Sequence, residues 1–204
     1  MRRRQRAFTL TETLVVMGVI VLLVGLLMPA ISKIQAESRS TGCLSNLRQL
    51  FGGIEANRQQ NNSLLPNTEP LPALTAGGPI GGLPSLLKSF IDRESPVWIC
   101  PADNDPDSYE IGTSYIYLPG LYVLTPEIQL QLPPNALLLP PKERKELEAR
   151  VVTTLYESNT NTPLPLLMDS QERHFIGDRV PRNGLYIDGS ARIVAKPSPN
   201  TAVD

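Results

Sequence analysis

The sequence predicts an α+β fold, a long N-terminal helix followed by a small domain of mostly antiparallel strands. Three observations predict it. The stretch AFTLTETLVVMGVIVLLVGLLMPAI, from Ala7 to Ile31, is almost wholly apolar. Beyond it Leu44, Leu47, Phe51 and Ile54 recur at steps of three and four, the repeat of one helix face. Near the C-terminal end come three short apolar segments, PLPLLMD, NGLYID and ARIVA. Asp188-Gly189 joins the last two, a hairpin signal.

The apolar start comes first. From Leu14 to Met28 no side chain is charged or strongly polar, and extension to Ile31 gives 18 residues. That is near the lower limit for crossing a hydrocarbon core of about 30 Å. Arg2, Arg3, Arg4 and Arg6 precede it, so the positive-inside rule keeps the leader in the cytoplasm and sends the rest across. Removing that leader leaves 15 Lys+Arg against 20 Asp+Glu, an acidic body behind a basic start. The net charge is −1, which gives no bulk electrostatic reason to expect a nucleic-acid partner. Glu12 interrupts the apolar run. A carboxylate at bilayer depth costs about 2.5–3.5 kcal/mol even on lenient insertion scales. Neither a cleaved secretory signal nor a plain signal anchor accounts for it, and Met28 stands where a signal cut wants a small residue.

RRRQRA followed by FTLTETLVVMGVIVLLVGLL resembles the N-terminus of type IV prepilins and of the pseudopilins of type II secretion systems. The resemblance implies a cut between Ala7 and Phe8 by a prepilin peptidase, N-methylation of Phe8, and an assembly role for Glu12, the fifth residue after the cut. The family usually has glycine before the cut, and this chain has Ala7. The physical sense of Glu12 follows. Cleavage creates a positive amine on Phe8 at nearly the same depth. In a stack of subunits the amine of one chain meets the carboxylate of its neighbour, and pairing offsets the burial cost of both. Pro29 lacks an N–H and clashes one turn back, so a bend or local unwinding is expected there. Prolines near this distance from the cut are common in the family.

A helix from Phe8 to about Arg58 would run roughly 75 Å at ~1.5 Å per residue. Gly52 and Gly53 weaken its end by about 1 kcal/mol each against alanine. The expected divisions are a basic leader over 1–7, a transmembrane or fibre-core half-helix over 8–31, an amphipathic half-helix over 32–58 and a globular α+β domain over 59–204.

Within that last part, residues 59–96 are rich in Pro, Gly, Asn and Ser and read as loop, broken by a short helix near LPSLLKSFI. VWIC and TSYIYLP read as short strands around an acidic turn, PADNDPDSYE. PPKERKELEARVVTTLYES begins a helix at a proline, with its VVTT end open between helix and strand. CLSNLRQL, CPADNDPDSY and a histidine followed by NGLYIDGSARIV look like a prepilin-type group that ends in a histidine, a spacer and an Asp-Gly hairpin. This implies a pilin-like fold and a structural contact of His174 with the hairpin at Asp188 and Gly189. The spacer is longer here than the commonest form, and FIGDRVPRN replaces its glycine-rich stretch.

Three constellations remain. Cys43 and Cys100 form either one disulfide outside the cytoplasm or two buried thiols. Asp103, Asp105 and Asp107 are weak calcium candidates, because the run lacks the glycine and distal glutamate of a known loop and carries Pro106 in its middle. A solvated acidic turn is the stronger reading. His174 is the only histidine, too few for a typical zinc site. With no Gly-x-Ser-x-Gly motif and no phosphate loop, an enzyme is not expected, nor any cofactor beyond that calcium candidate. The expected function is a pilin or pseudopilin subunit of a type IV pilus-like or type II secretion fibre. Its partners would be other such subunits, the prepilin peptidase, an inner-membrane assembly platform and membrane lipid. It would be single-pass in a bacterial inner membrane, with its C-terminal domain outside the cytoplasm, and periplasmic or on the cell surface after assembly. The competing reading is a membrane-anchored or secreted binding domain that borrows the export signal and never polymerises.

Overall fold

The structure is a computed structural model of the 204-residue chain and describes residues 10–159, 161, 163–174 and 181–194. Ala7 and Phe8 lie outside the described residues. The chain forms two compact units, 1–38 and 39–204. Helix α1, Leu10–Gln60, contributes to both.

In the first unit every described residue from 10 to 35 is exposed, including Leu14, Ile20, Leu22 and Leu27. The leucine- and valine-rich composition suits a helix, but none of the described residues covers it. Helix α1 passes Pro29 without interruption, so the expected local unwinding does not occur. Ser32 Oγ donates to the Pro29 carbonyl at 3.0 Å one turn on.

The second unit begins with the remainder of α1. Its buried face is Cys43, Leu47, Leu50, Gly53, Ile54 and Asn57. The expected stripe was displaced by about one residue: Leu47 and Ile54 are buried, while Leu44 and Phe51 lie on its partly covered shoulder. Cys43 and Gly53 account for the shift, since one is bonded into the domain and the other lets Ile91 approach closely.

After α1 come β1 (Ala73–Thr75) and β2 (Gly78–Ile80), an antiparallel hairpin inside the stretch expected to be loop. Helix α2 (Gly82–Leu86) falls where the short helix was expected. VWIC is not a strand. Pro96–Trp98 is a 3-10 turn, capped by Ser95 and held by Trp98 Nε1 donating to the Asp92 carbonyl at 3.0 Å. The acidic turn contains α3 (Pro106–Ile111), with Asp105 as its N-cap and proline at its first position. There follow β3 (Tyr115–Tyr117), α4 (Leu118–Tyr122), α5 (Pro126–Gln129), a 3-10 turn at Ala136–Leu138 and α6 (Pro141–Ser158). The VVTT end of α6 is helical. Val152, Thr153 and Tyr156 form its buried face, and Thr153 Oγ1 accepts from Leu65 N at 2.9 Å.

Strands β4 (Pro165–Asp169), β5 (Arg182–Tyr186) and β6 (Ala191–Val194) complete an antiparallel sheet ordered β3-β4-β5-β6. The expected hairpin is present between β5 and β6. Gly189 sits in it at φ +77°, a conformation that suits glycine, and a Cβ there would lie 2.9 Å from the Phe51 ring. The core joins the α1 face to this sheet through Leu166, Leu167 and Leu185. Arg48 reaches the Ala191 carbonyl at 3.4 Å. The architecture is α+β and pilin-like.

Candidate functional site

The N-terminal candidate is built on the first turns of α1. Glu12 lies in the first turn and is exposed. A carboxylate there faces the positive end of the helix dipole, which favours it. Thr13 Oγ1 donates back to the Leu10 carbonyl at 2.8 Å, hiding its hydroxyl from an apolar medium. The helix is long and apolar enough to cross a membrane by length and composition, with its apolar window wholly unburied.

The second candidate lies in the globular unit, where the sequence-chosen cysteines and histidine converge. Cys43, the first buried residue of α1, is joined by a disulfide to Cys100, with Cα atoms 4.9 Å apart. Both cysteines are fully buried. His174 Nε2 lies 3.7 Å from Cys100 Sγ and donates to Asp169 Oδ2 at 2.9 Å. Asp169 ends β4, and its Oδ2 also accepts from Asn183 N on β5 at 2.7 Å. The histidine therefore pins the chain after β4 to the sheet. Asp188 closes on its own turn instead, accepting from Ser190 N at 2.9 Å. Ser190 beside it holds the Asp188 carboxyl below the usual range. The structure thus gives His174 a partner five residues back rather than the hairpin tip.

The three aspartates do not act alike. Asp103 is buried and ion-paired to Arg173 at 2.9 Å. Burial pushes its carboxyl up, but hydrogen bonds from Ser114, the Asp105 N–H and Ser108, with the Arg173 charge, together hold it below the usual range. Asp105 accepts from Asp107 N at 3.1 Å and bonds Gln171. Asp107 is exposed in the first turn of α3. Their oxygens serve a buried ion pair and a helix cap. Arg173 was not singled out in the sequence, and the only available signal was its place next to the lone histidine.

A model of the prokaryotic N-terminal methylation motif matches residues 2–28. No curated protein and no solved structure gives a significant match. The matched segment holds Ala7, Phe8 and Glu12 and ends one residue before Pro29. It is followed by the α+β architecture described above, so the chain carries the N-terminal signature of the type IV prepilin and pseudopilin family.

Proposed function

We propose that the chain is a structural subunit, a pilin or pseudopilin, of a type IV pilus-like or type II secretion pseudopilus fibre, and not an enzyme. The carrying observation is an apolar half-helix exposed from residue 10 to 35 beneath a methylation motif over 2–28. Such a surface requires lipid before assembly and neighbouring helices after it. A prepilin peptidase removes residues 1–7, and the Phe8 amine of one subunit pairs with Glu12 of the next. Burying either charge alone is costly, so the pair favours assembly and sets the axial step between subunits. The domain from Arg39 onward then coats the fibre outside the inner membrane.

N-terminal sequencing and mass measurement of the mature chain test the processing step, with Phe8, methylated, expected first. Glu12→Ala tests the assembly step. The variant is expected to insert and be cleaved normally but to be lost from sheared or cross-linked fibres. Equal incorporation of wild type and variant would reject the polymer reading. A native chain that keeps its arginine leader and stays monomeric would instead favour a membrane-anchored binding domain.

A further inference from the structure

We propose that Cys43, Cys100 and His174 bind a soft divalent cation of the zinc class when the two cysteines are reduced. The same pair then ties α1 to the domain either as a disulfide or through a metal.

The donor set and its geometry carry this. The two sulfurs and a ring nitrogen of His174 lie within 4.8 Å of one another, and all three residues are buried. In a tetrahedral site with Zn–S of about 2.3 Å and Zn–N of about 2.0 Å, sulfur and nitrogen stand roughly 3.5 Å apart. His174 Nε2 and Cys100 Sγ are already 3.7 Å apart. The same nitrogen is 2.9 Å from Asp169 Oδ2, so a carboxylate stands beside the ring as a further oxygen donor or counter-charge. Asp169 Oδ1 and His174 Nδ1 are buried without a hydrogen-bond partner. A cation taking the Nε2 lone pair moves the ring proton to Nδ1 and leaves Asp169 facing positive charge. A cleft of about 550 Å³, lined in part by Asn46, Pro101 and Tyr109, borders Cys100 and offers a way in.

The chemistry balances with an external dithiol. Its thiolate attacks one sulfur, the Cys43–Cys100 bond breaks, and a mixed disulfide forms. The second thiol of the reductant resolves that disulfide. Two electrons and two protons pass to the protein, and the reductant leaves as its own disulfide. The cation then displaces both thiol protons to solvent.

Cobalt(II) tests this on the full chain in detergent micelles, reduced with a dithiol and freed of it without oxygen. One Co²⁺ per chain is expected, with thiolate-to-cobalt absorption in the near ultraviolet and displacement by Zn²⁺. Asp169→Asn should lower the affinity, because it removes the carboxylate charge that stands 2.9 Å from the ligating nitrogen. His174→Ala should weaken it further, and the double change Cys43→Ser with Cys100→Ser should remove the absorption. Circular dichroism reports folding of each form. The proposal is overturned if the reduced chain shows no thiolate-to-cobalt absorption, or if binding is unchanged in His174→Ala. It is also overturned if reduction unfolds the domain and Co²⁺ does not restore it.

Discussion

The two parts of α1 share one backbone conformation and differ in what covers their side chains. Residues 10 to 35 are exposed throughout, whereas Cys43, Leu47, Leu50 and Ile54 are fully buried against the domain. Both lie in one continuous helix, so secondary structure does not decide their roles. Burial does. The distal part is stabilised within its own chain and belongs to the folding problem of the domain. The proximal part is exposed at every described residue from 10 to 35, and under the proposed function its apolar surface is covered by lipid or by other helices.

If that contrast holds, equivalent changes in the two parts have different readouts. The largest expected effect comes from the disulfide. Replacing both Cys43 and Cys100 with serine opens a loop of 57 residues. The chain-entropy model then predicts a loss of about 4 kcal/mol from domain stability, read by urea unfolding of the full chain in micelles. Membrane insertion should be unchanged. Next is a leucine pair. Leu47→Ala removes a wholly buried side chain and should cost about 3 kcal/mol. Leu22→Ala, at a 63% exposed position, should leave the same unfolding curve unmoved. A matching loss at Leu22 would mean that the proximal part is covered by the domain after all, and the contrast would fail.

Two adjacent glycines sharpen the same point inside the distal part. A Cβ at Gly53 would lie 2.5 Å from Ile91 Cδ1, while one at Gly52 meets nothing within 4 Å. Gly52→Ala should therefore stabilise by up to about 1 kcal/mol through helix propensity alone. Gly53→Ala gains the same propensity but must push Ile91 aside. Overpacking of this kind costs about 1–3 kcal/mol, so a net loss of about 1 kcal/mol is expected. Thermal melting of the two variants side by side checks the opposite signs.

The amphipathic α1, the α2 position, β4 to β6 and the Asp188-Gly189 hairpin were legible because periodicity and turn chemistry are local signals. What was not legible depended on partners distant in sequence. VWIC has strand-like residues, yet Pro96 at a turn start and the Trp98 bond to Asp92 fold it into a 3-10 turn. VVTT has high strand propensity, yet Thr153 spends its hydroxyl on the Ala149 carbonyl and on Leu65 N, which suits a buried helix face. In the globular unit the Cys43–Cys100 pairing was legible and is formed, whereas the partners of the histidine and of Asp103 were not. His174 meets Asp169 rather than the hairpin, and Asp103 meets Arg173 across 70 residues of chain.

The smallest expected effect concerns acid, and it separates the two regions by charge instead of packing. Asp103 and Asp188 both have carboxyls held below their ordinary range in the folded domain. A depressed folded value means the ionised form is bound more tightly by the native state than by the unfolded one. That contribution is fully present above the unfolded value of about 3.9 and is lost as pH falls through the folded values below it. Domain stability should thus be flat from pH 7 to about pH 5 as far as these two groups are concerned, and should fall below about pH 4. Asp103→Asn should flatten that acid limb, because the variant has no proton to take up there. The mutant will be less stable at neutral pH, since Arg173 loses its buried partner, but the slope rather than the height carries the test. Melting temperatures recorded from pH 6 to pH 2.5 for both proteins give that slope. An acid limb equally steep in the variant would place the proton uptake elsewhere in the chain and remove Asp103 from the account of domain stability.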